Sequence, residues 1–523
     1  MPTLEWIGKE RVINHHQQVP YRVLEEKYTY NGKKSDNMII RGDNLEALKA
    51  LLPRYEGKVK CIYIDPPYNT GNEGWVYNDN VNDPKIRKWL GEVVGKEGED
   101  LSRHDKWLCM MYPRLKLLQR LLSEDGVIFI SIDDTEFNNL RSICNEVFGE
   151  HNFITTVVWR KNYAPKSTAK HFSQDHDYIL VFGKNADDWV PHKMPRTEKQ
   201  NKAYKNPDND PRGLWRPNNL AARNYYSKGS YSIRCPSGRI IDGPPAGSYW
   251  RVSEEKFWEM DREGRIWWGK DGNNVPAPKI YLTEVMDGIV PQTLWSYEEV
   301  GHTQDAKKEV KEIFKGTTPF DTPKPVRLIE RILQIASDPD SIILDSFAGS
   351  GTTAHAVLNM NKADGGNRKF ILVEMMDYAE SITAERVKRV IDGYGEGKNA
   401  VEGTGGDFTF YDLGPALLLP DGNLNEEVGT EKIREYVWYM ETKTPLTDVS
   451  GENPYYLGGS RGTDYYFYYE RERLTTLNYQ FLATIKERAE SYLIYADLCT
   501  LPDEELKQYN ITFKKIPRDI AKL

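Results

Sequence analysis

The sequence predicts an α/β fold built on a mostly parallel sheet, interrupted by a large insert and followed by a C-terminal domain of α+β type. Short apolar runs alternate with amphipathic stretches over residues 37–148, and the alternation resumes over 325–391. This is the pattern of a parallel sheet covered by helices. Between about 156 and 320 the alternation stops, and Pro, Gly, Asn and aromatic residues accumulate, which favours short strands and long loops. One α/β domain is therefore predicted to be divided by an insert.

The first half of this predicted sheet supplies three strands. Each strand is an apolar run, and each helix between strands has apolar residues three or four positions apart. In chain order the predicted elements are a strand at 38–41, a helix that begins at Asp43 or Asn44 and carries Leu45, Leu48, Leu51 and Leu52, a strand at 59–64, a helix with Trp107, Met111, Leu115, Leu118 and Leu122 on one face, a strand at 127–132 and a helix at 138–148.

The second half of the predicted sheet continues the alternation of helices and strands, and its ends set the predicted domain limits. Its predicted elements are a helix at 325–336, a strand at 342–344, a helix at 352–360, a strand at 370–374 and a helix at 378–391, followed by a Gly-rich linker at 393–406. The resulting domains are an N-terminal arm at 1–34, the two halves of the α/β domain at 35–155 and 321–395, the insert at 156–320 and a C-terminal domain at 396–523.

Charge is distributed unevenly along the chain, whose formal net charge is −8. Residues 156–280 contain 22 Lys and Arg against 14 Asp and Glu, whereas residues 401–523 contain 13 basic and 21 acidic residues. Because phosphate binding requires clustered Lys and Arg, contact with a polyanion is predicted in the middle segment and not in the tail. The arginines predicted to contact it are Arg212, Arg216, Arg223 and Arg234.

The cysteine pattern and the hydropathy pattern argue against several classes of protein. The five cysteines include no CxxC pair, which disfavours a zinc site or a disulfide framework and indicates reduced, mostly buried thiols. No apolar stretch approaches the roughly 18 residues needed to span a bilayer. The first ten residues lack the basic start and apolar run of a signal peptide, so we expect a cytoplasmic protein without a membrane association.

The first chemical motif is Asp65-Pro66-Pro67-Tyr68, directly after the predicted strand at 59–64. Ligands of open α/β sheets bind beyond the carboxyl ends of the strands, where this loop must lie. Two consecutive prolines stiffen the backbone and remove two N–H donors, which leaves a loop rich in hydrogen-bond acceptors beside a carboxylate and an aromatic ring. Such a loop suits the exocyclic amine of a nucleobase, although a rigid turn without a ligand is the alternative.

The second motif is the loop Asp345 to Thr353 (DSFAGSGTT), which also follows a strand and opens a helix. Its glycines allow a ligand to approach the backbone, and the absence of a Lys after Gly351 excludes a nucleoside-triphosphate loop. The loop formally fits the dinucleotide fingerprint, with Glu374 at the end of the next predicted strand. A carboxylate there can hold a ribose diol, which nicotinamide dinucleotides and S-adenosylmethionine share, so the fingerprint alone does not separate them.

Together, the two motifs resemble those of S-adenosylmethionine-dependent amino-methyltransferases of DNA. The order of the motifs, with the catalytic loop first, is similar to the β class, and further segments agree, namely GDNL at 42–45, VIFISIDD at 127–134, HDYILVF at 176–182 and TPKP at 322–325. The run DPPYNTGNEGWVY at 65–77, with GGDFTFYDL at 405–413, resembles modification subunits of type III restriction-modification systems. The resemblance covers about residues 35–415 and implies a Rossmann-like methyltransferase sheet.

The resemblance also implies roles for individual residues. Asp65, Pro66, Pro67 and Tyr68 are expected to hold and stack the target base, with no metal required, and the insert is expected to read DNA. The residues expected to bind S-adenosylmethionine are Asp345, Phe347, Gly349, Gly351, Thr352 and Glu374, with Asp43 and Lys324 as lesser contributors. For Asp43 an ordinary helix cap, and for Lys324 a solvated side chain, are equally good interpretations.

The implied activity is adenine-N6 methylation of a base flipped out of double-stranded DNA. Cytosine-N4 methylation is the nearest alternative, and Asp rather than Ser at the first motif position favours adenine by family analogy. A nicotinamide oxidoreductase leaves the Asp65 motif unexplained, and a DNA-binding module without activity does not explain its intact catalytic residues. As partners the resemblance suggests a second copy of the chain and a restriction subunit, although a stand-alone methyltransferase is also consistent with the sequence.

Overall fold

The computed structural model describes residues 3–70, 88, 91, 103–447, 453–471, 473–486 and 488–520. The chain so described forms two compact units, one of residues 1–190 and 292–523 and one of Pro191–Pro291. The stretch 71–77, which belongs to the run that resembles type III modification subunits, lies outside the described residues.

Within the described residues, the larger unit is built on a ten-stranded mixed sheet. Its strands, numbered in chain order, are β1 (Arg22–Tyr30), β2 (Met38–Arg41), β3 (Val59–Ile64), β4 (Leu122–Ile132), β5 (Phe153–Arg160), β6 (His176–Gly183), β7 (Leu294–Trp295), β8 (Ile342–Asp345), β9 (Lys369–Glu374) and β10 (Phe408–Ala416). Across the sheet the order is β1-β10-β2-β9-β8-β3-β4-β6-β5-β7. The strands from β10 to β4 pair in parallel, whereas β1 with β10, and β6 with β4 and β5, pair antiparallel.

Helices connect the parallel strands and cover the sheet. Those that matter for the site are α1 (Asn44–Tyr55), α2 (Arg103–Leu121), α3 (Phe137–Phe148), α4 (Thr303–Ile313), α5 (Val326–Ala336), α6 (Thr352–Asp364) and α7 (Glu385–Asp392). Alternate strand residues such as Ile62, Ile64 and Ile130 share one hydrophobic core with α1, α2 and α3, as the two-residue period of a strand requires. The intervening residues are buried as well, so both faces of the central strands are covered.

This architecture confirms the predicted α/β sheet and places both motifs at one edge. Strand β8 lies between β3 and β9, and all three run in the same direction. Their carboxyl ends therefore bring Asp65, Asp345 and Glu374 to neighbouring positions, although the first two are 280 residues apart in the sequence. One boundary differs from the prediction: Leu122 begins β4 and does not belong to α2.

The predicted domain limits differ from the structure at three places. Strand β1, in the predicted arm, and β10, after the predicted linker, pair with each other, and β10 continues onto β2. Both therefore extend the main sheet. Strands β5 and β6, in and beside the predicted insert, pair antiparallel with each other and extend the opposite side of the sheet, so the separate unit is limited to 191–291.

The smaller unit consists of short strands and two helices around its own core. Its strands are Trp215–Pro217, Ala221–Ala222, Ile233–Arg234, Ile240–Ile241, Tyr249–Trp250, Ile266–Trp267 and Ala277–Tyr281, and its helices are Glu198–Asn201 and Glu254–Arg262, with a 3-10 turn at Leu282–Glu284. Trp250, Phe257 and Ile266 are buried together. Trp215 of this unit is almost completely buried as well.

The remaining described elements of the larger unit lie before β1, between the main elements and after β10. They are the helices Lys9–Val12, His15–Gln18, Tyr297–Val300, Thr430–Thr442, Tyr479–Leu482 and Asp503–Gln508, and the strands Gly393–Tyr394, Val401–Glu402, Tyr456–Ser460, Thr463–Phe467, Thr476–Leu477, Ser491–Ala496, Leu498–Cys499 and Ile511–Lys515. Short 3-10 or π turns occupy Glu150–Asn152, Asp377–Ala379, Glu380–Ala384, Gly397–Asn399 and Glu426–Val428.

Two further observations concern this region and the cysteines. Tyr466, Tyr469 and Tyr495 of the C-terminal region are buried in hydrophobic clusters, which agrees with packing as their role. The five cysteines, all in the described part of the chain, are free thiols, and four are buried, as the sequence predicted. In the described residues, no helix is long and apolar enough to cross a bilayer.

Candidate active site

The Asp65 loop is held rigidly at the carboxyl end of β3. Pro67 follows the strand by three residues, and its carbonyl accepts a hydrogen bond of 2.7 Å from the indole N–H of Trp107 on α2. Asn69 is fully buried with a φ of 59°, a left-handed conformation that Asn tolerates better than most residues. Its side-chain amide donates to the carboxylate of Glu136, 2.5 Å away, and to the carbonyl of Arg103 at 3.2 Å.

Glu136 is the centre of this support and was not predicted from the sequence. Its side chain is fully buried just before α3, and it also contacts Nδ1 of His104 at 2.6 Å and the side-chain amide of Asn139 at 2.7 Å. A buried carboxylate requires such donors, because its desolvation is otherwise costly. The sequence signal was weak, since Glu136 is one of several acidic residues after β4.

Asp65 is paired with Lys324 inside the site. The ammonium of Lys324 contacts Oδ2 of Asp65, and its Nζ lies 5.2 Å from the centre of the Tyr68 ring. The other carboxylate oxygen, Oδ1, is buried, and no described donor reaches it within hydrogen-bond distance. Burial, reinforced by the negative charge of Asp65, raises the pKa of Tyr68 well above its ordinary value, so this ring stays a neutral phenol.

A second acidic residue, Asp177 on β6, lies in the same cavity. It is 3% exposed and accepts a charge-assisted hydrogen bond of 2.6 Å from Lys161. Burial raises the pKa of the Asp177 carboxyl, and the charges of Lys161 and Lys324 partly offset that effect. The pair Asp177 and Lys161 was also absent from the sequence predictions.

The glycine loop after β8 is organised by Asp345. Its Oδ1 accepts the N–H of Phe347 at 3.0 Å, and its Oδ2 accepts the hydroxyl of Thr353 at 2.6 Å. The residue is almost completely buried, and this burial raises the pKa of its carboxyl to about 7. Asp345 therefore shapes the loop from within, in addition to facing the cavity.

Gly351 has a structural constraint that differs from the predicted one. Its φ is 80°, and a Cβ at this position would lie 3.1 Å from the carbonyl oxygen of Thr383. A side chain here would meet the chain segment leading into α7, whereas the sequence argument placed it in the space of a ligand. The neighbouring Gly349 also has a positive φ, 52°, and the two glycines form the turn that opens α6.

Glu374 connects the glycine loop to the end of β9. Its Oε2 accepts the N–H of Gly349 at 2.8 Å, and its Oε1 accepts the N–H of Met376 at 3.0 Å. It is 3% exposed and does not line the cavity described below. Its assignment to a ribose diol stays a prediction.

Arg386 of α7 supports the loop from behind and was not predicted. Its buried guanidinium donates to the hydroxyls of Ser350 and Thr352, both at 2.8 Å. Burial lowers its pKa to about 10, so it remains charged at neutral pH. An arginine in the middle of an amphipathic helix gives no sequence signal that distinguishes it from a solvated residue.

Asp43 caps α1, as one of the two sequence interpretations proposed. Its Oδ1 accepts the N–H groups of Leu45 and Glu46, and Arg114 of α2 donates to its Oδ2 at 3.1 Å. The adjacent Asn44 reaches the carbonyl of Ser346 in the glycine loop at 3.1 Å. Asp43 does not line the cavity, and its role in cofactor binding stays a prediction.

One cavity of about 600 Å³ joins the two motif loops. It is lined by residues of both loops, of β5 and β6, of the loop after β4 and of the segment before α5. These include Asp65, Pro66, Pro67, Tyr68, Asp133, Trp159, Lys161, Asp177, Phe320, Lys324, Asp345, Phe347, Gly349, Ser350 and Thr352. The volume lies within the usual range for sites that bind small molecules and cofactors.

The four predicted arginines all lie in the smaller unit, in different surroundings. Arg212 forms a bidentate ion pair with Asp210, donates to two backbone carbonyls and covers the ring of Tyr281 at 4.7 Å. It therefore stabilises the unit internally. Arg216, Arg223 and Arg234 are exposed. A role in contacting DNA stays a prediction for these three and is less well supported for Arg212.

Comparison with known proteins gives one family match and several relatives. A family of DNA methylases that modify N6 or N4 amines matches residues 59–385. The chain is 35% identical to the type III restriction-modification enzyme StyLTI Mod subunit of Salmonella typhimurium over 71% of its length and 57% of that protein. It is 34% identical to the EcoPI Mod subunit of Escherichia phage P1, over 71% of this chain and 63% of that one.

A further relative is the type II methyltransferase M.KpnI of Klebsiella pneumoniae. It is 31% identical, and the match covers 65% of this chain and 81% of that protein. The chain thus spans most of the length of this type II relative but only about three fifths of the length of the type III subunits that it matches.

Proposed function

The chain belongs to the family of N6/N4 DNA methylases, and from this premise we propose that it transfers a methyl group from S-adenosylmethionine to the N6 amine of adenine in double-stranded DNA. The observation that carries the proposal is the joining of the two motif loops, distant in sequence, around one cavity in which Asp65 retains a buried carboxylate oxygen with no donor among the described residues. That oxygen is suited to accept an N–H from a ligand.

The residues present fit S-adenosylmethionine. The two left-handed glycines expose the backbone of the loop before α6, and Phe347, Gly349 and Thr352 line the cavity beside it. A third fitting feature is the hydroxyl of Ser346, which is buried and has no partner within the described chain. When bound, the cofactor supplies an electrophilic methyl group whose leaving group is a neutral thioether, so the protein has to supply alignment and exclusion of water.

The protein's own task is to activate a poor nucleophile. The lone pair of an exocyclic adenine amine is delocalised into the ring, and hydrogen bonds from both N–H groups localise it on nitrogen. Asp65 accepts one N–H and the carbonyl of Pro66 accepts the other. The negative charge of Asp65 stabilises the positive charge that develops on nitrogen during transfer, and Tyr68, held neutral, stacks on the base.

Lys324 has to leave Asp65 for this arrangement to form. Its ammonium occupies the position beside Asp65 and over Tyr68 that the amine and the ring of the base are proposed to take. The charge of Lys324 already lowers the pKa of the Asp177 carboxyl, so Asp177 is a nearby acidic partner for the displaced ammonium. This proposal places Lys324 on the substrate side of the cavity. The role in cofactor binding that was predicted from the sequence stays a separate prediction.

The test is incubation with labelled S-adenosylmethionine and mixed-sequence DNA, followed by nucleoside analysis. We expect label in N6-methyladenine. Label in N4-methylcytosine would establish the alternative reaction within the same family, and absence of label in DNA would contradict the proposal.

We infer further that the smaller unit contributes to DNA binding. It carries 17 Lys and Arg against 12 Asp and Glu, in a chain of net charge −8. Replacing Arg216, Arg223 and Arg234 together with Ala should weaken DNA binding and reduce the dependence of log Kd on log salt by up to about three. Unchanged affinity and slope would refute this assignment.

The relatives that are Mod subunits support two proposals about assembly. We propose a homodimer in solution, as the resemblance to type III modification subunits suggests, and association with a restriction subunit, since these relatives are named as subunits of restriction-modification enzymes. Light scattering at micromolar concentration tests the first proposal, and a monomeric mass in a fully active sample would contradict it. Co-purification with a restriction subunit encoded beside the gene tests the second, and the stand-alone enzyme is the alternative.

A further inference from the structure

The loop of residues 161–175, here called the rim loop, joins β5 to β6 in the larger unit and borders the cavity. Lys161, Asn162, Lys166 and Gln174 of this loop line the cavity. The rim loop therefore borders the cavity that is proposed to receive the base.

The rim loop is folded by its own hydrogen bonds. The N–H groups of Lys161 and Asn162 both donate to the carbonyl of Asp175, at 2.8 and 3.2 Å. The N–H of Lys166 donates to the hydroxyl of Ser173 at 2.7 Å, and this hydroxyl donates to the Asp175 carboxylate at 2.6 Å. These bonds tie the two limbs of the loop together, so residues 167–172 form its outer end.

That outer end presents Phe172 to solvent. Phe172 is 91% exposed, the largest exposed fraction of any described large hydrophobic side chain. A single exposed Phe is unremarkable by itself. Lys166, Lys170 and His171 of the same loop are also exposed, and Asp175 is its one acidic residue. An exposed apolar ring on a loop with exposed lysines matches a duplex, which has a phosphate backbone and stacked bases.

We propose that Phe172 is the wedge that enters the duplex and fills the space vacated by the target base, while Lys166 and Lys170 bind the flanking phosphates. The inference rests on the proposed function, since it concerns how the base reaches the cavity. Apolar side chains inserted between base steps are a general means of unstacking DNA, and the cost of extracting a base is a few kcal/mol. Stacking of an aromatic ring on the neighbouring bases offsets part of that cost.

The methylated site is first mapped on plasmid DNA. The test then compares two duplexes that contain this site. One duplex contains the matched target, and the other carries an abasic site opposite the target adenine, which lowers the cost of extraction. We expect Phe172→Ala to lower kcat/KM on the matched duplex about ten- to hundredfold, which is the range of one base–aromatic stack. On the abasic duplex the loss should be at most about threefold, and Phe172→Trp should retain activity on both.

Leu474→Ala serves as the control, because Leu474 is 72% exposed in the C-terminal region of the same unit and should leave both rates unchanged. Fluorescence of 2-aminopurine at the target position reports extraction directly, and its increase on binding should be lost in Phe172→Ala. Unchanged activity of Phe172→Ala on the matched duplex, or an equal loss on both duplexes, would overturn the inference. Failure of the wild-type protein to methylate any DNA would instead refute the proposed function.

Discussion

Three carboxylates lie at the carboxyl ends of three neighbouring strands of the sheet, and they differ in what their oxygens contact. Asp345 and Glu374 direct theirs to backbone N–H groups and a hydroxyl of the surrounding loops. Asp65 has one oxygen on Lys324 and one that is buried without a described donor. A carboxylate whose oxygens are satisfied by the protein shapes a loop, whereas one left incompletely satisfied is available to a ligand. This comparison assigns Asp65 to chemistry and the other two mainly to the architecture of the cofactor loop.

The largest effect on the cofactor side is expected from Gly351→Val. A β-branched residue is disfavoured at a φ of 80°, and its Cβ would press on the carbonyl of Thr383. We expect the free energy of unfolding to fall by about 2–3 kcal/mol and the affinity for S-adenosylmethionine to fall at least about tenfold, because the loop is displaced. Chemical denaturation and calorimetric titration measure the two quantities.

Gly365→Val is the matched control for that variant. Gly365 ends the same helix α6 with a φ of 72°, but a Cβ there meets nothing within 4 Å. It should lose stability through backbone strain and keep its affinity for the cofactor. Equal loss of cofactor affinity in both variants would mean that the glycine loop has no specific role.

A smaller effect is expected from Lys324→Met. If Lys324 competes with the base for Asp65, its removal should lower KM for DNA by about three- to tenfold, as expected for a partly buried ion pair. The affinity for S-adenosylmethionine should stay within about twofold. Lys362→Met, which removes the lysine of a surface ion pair with Glu402, should change neither value. A selective loss of cofactor affinity in Lys324→Met would place this lysine on the cofactor side.

A pH-dependent effect on stability is expected from Asp345. Its pKa is raised to about 7 in the folded protein, above its value in the unfolded chain, so the folded state binds the proton more tightly. Stability is therefore lost as pH rises from the unfolded pKa toward about 7. Between pH 5 and 8 wild-type protein should lose about 2–3 kcal/mol relative to Asp345→Asn.

Asp364→Asn provides the opposite case. Arg368 and the N–H of Gly366 lower the pKa of Asp364, so its stabilising charge is lost only at pH values below the ordinary range of an aspartate. Its difference from wild type should be constant from pH 5 to 8. A constant difference for Asp345→Asn as well would contradict the elevated pKa.

The sequence predicted the strands and the two motif loops because their signals are local. The apolar run at 59–64 and the glycines at 349 and 351 need no knowledge of distant contacts. Glu136 and Arg386 could not be found in this way, since each is a polar residue on a helix or its approach whose burial depends on tertiary packing. The β5–β6 hairpin was assigned largely to the insert because it joins the sheet without an intervening helix. Strand β10 was missed because the strands with which it pairs lie more than 350 residues earlier in the chain.

The most direct test of the difference between the carboxylates is Asp65→Ala, studied by calorimetric titration with S-adenosylmethionine and by methylation of DNA. Turnover should fall by about 10³ or more, as expected when the group that stabilises developing charge is removed, while the cofactor Kd should change by less than about twofold. A thermal melt close to that of wild type would show that the fold is intact. Loss of cofactor affinity equal to the loss of turnover would contradict the assignment of Asp65 to the substrate amine.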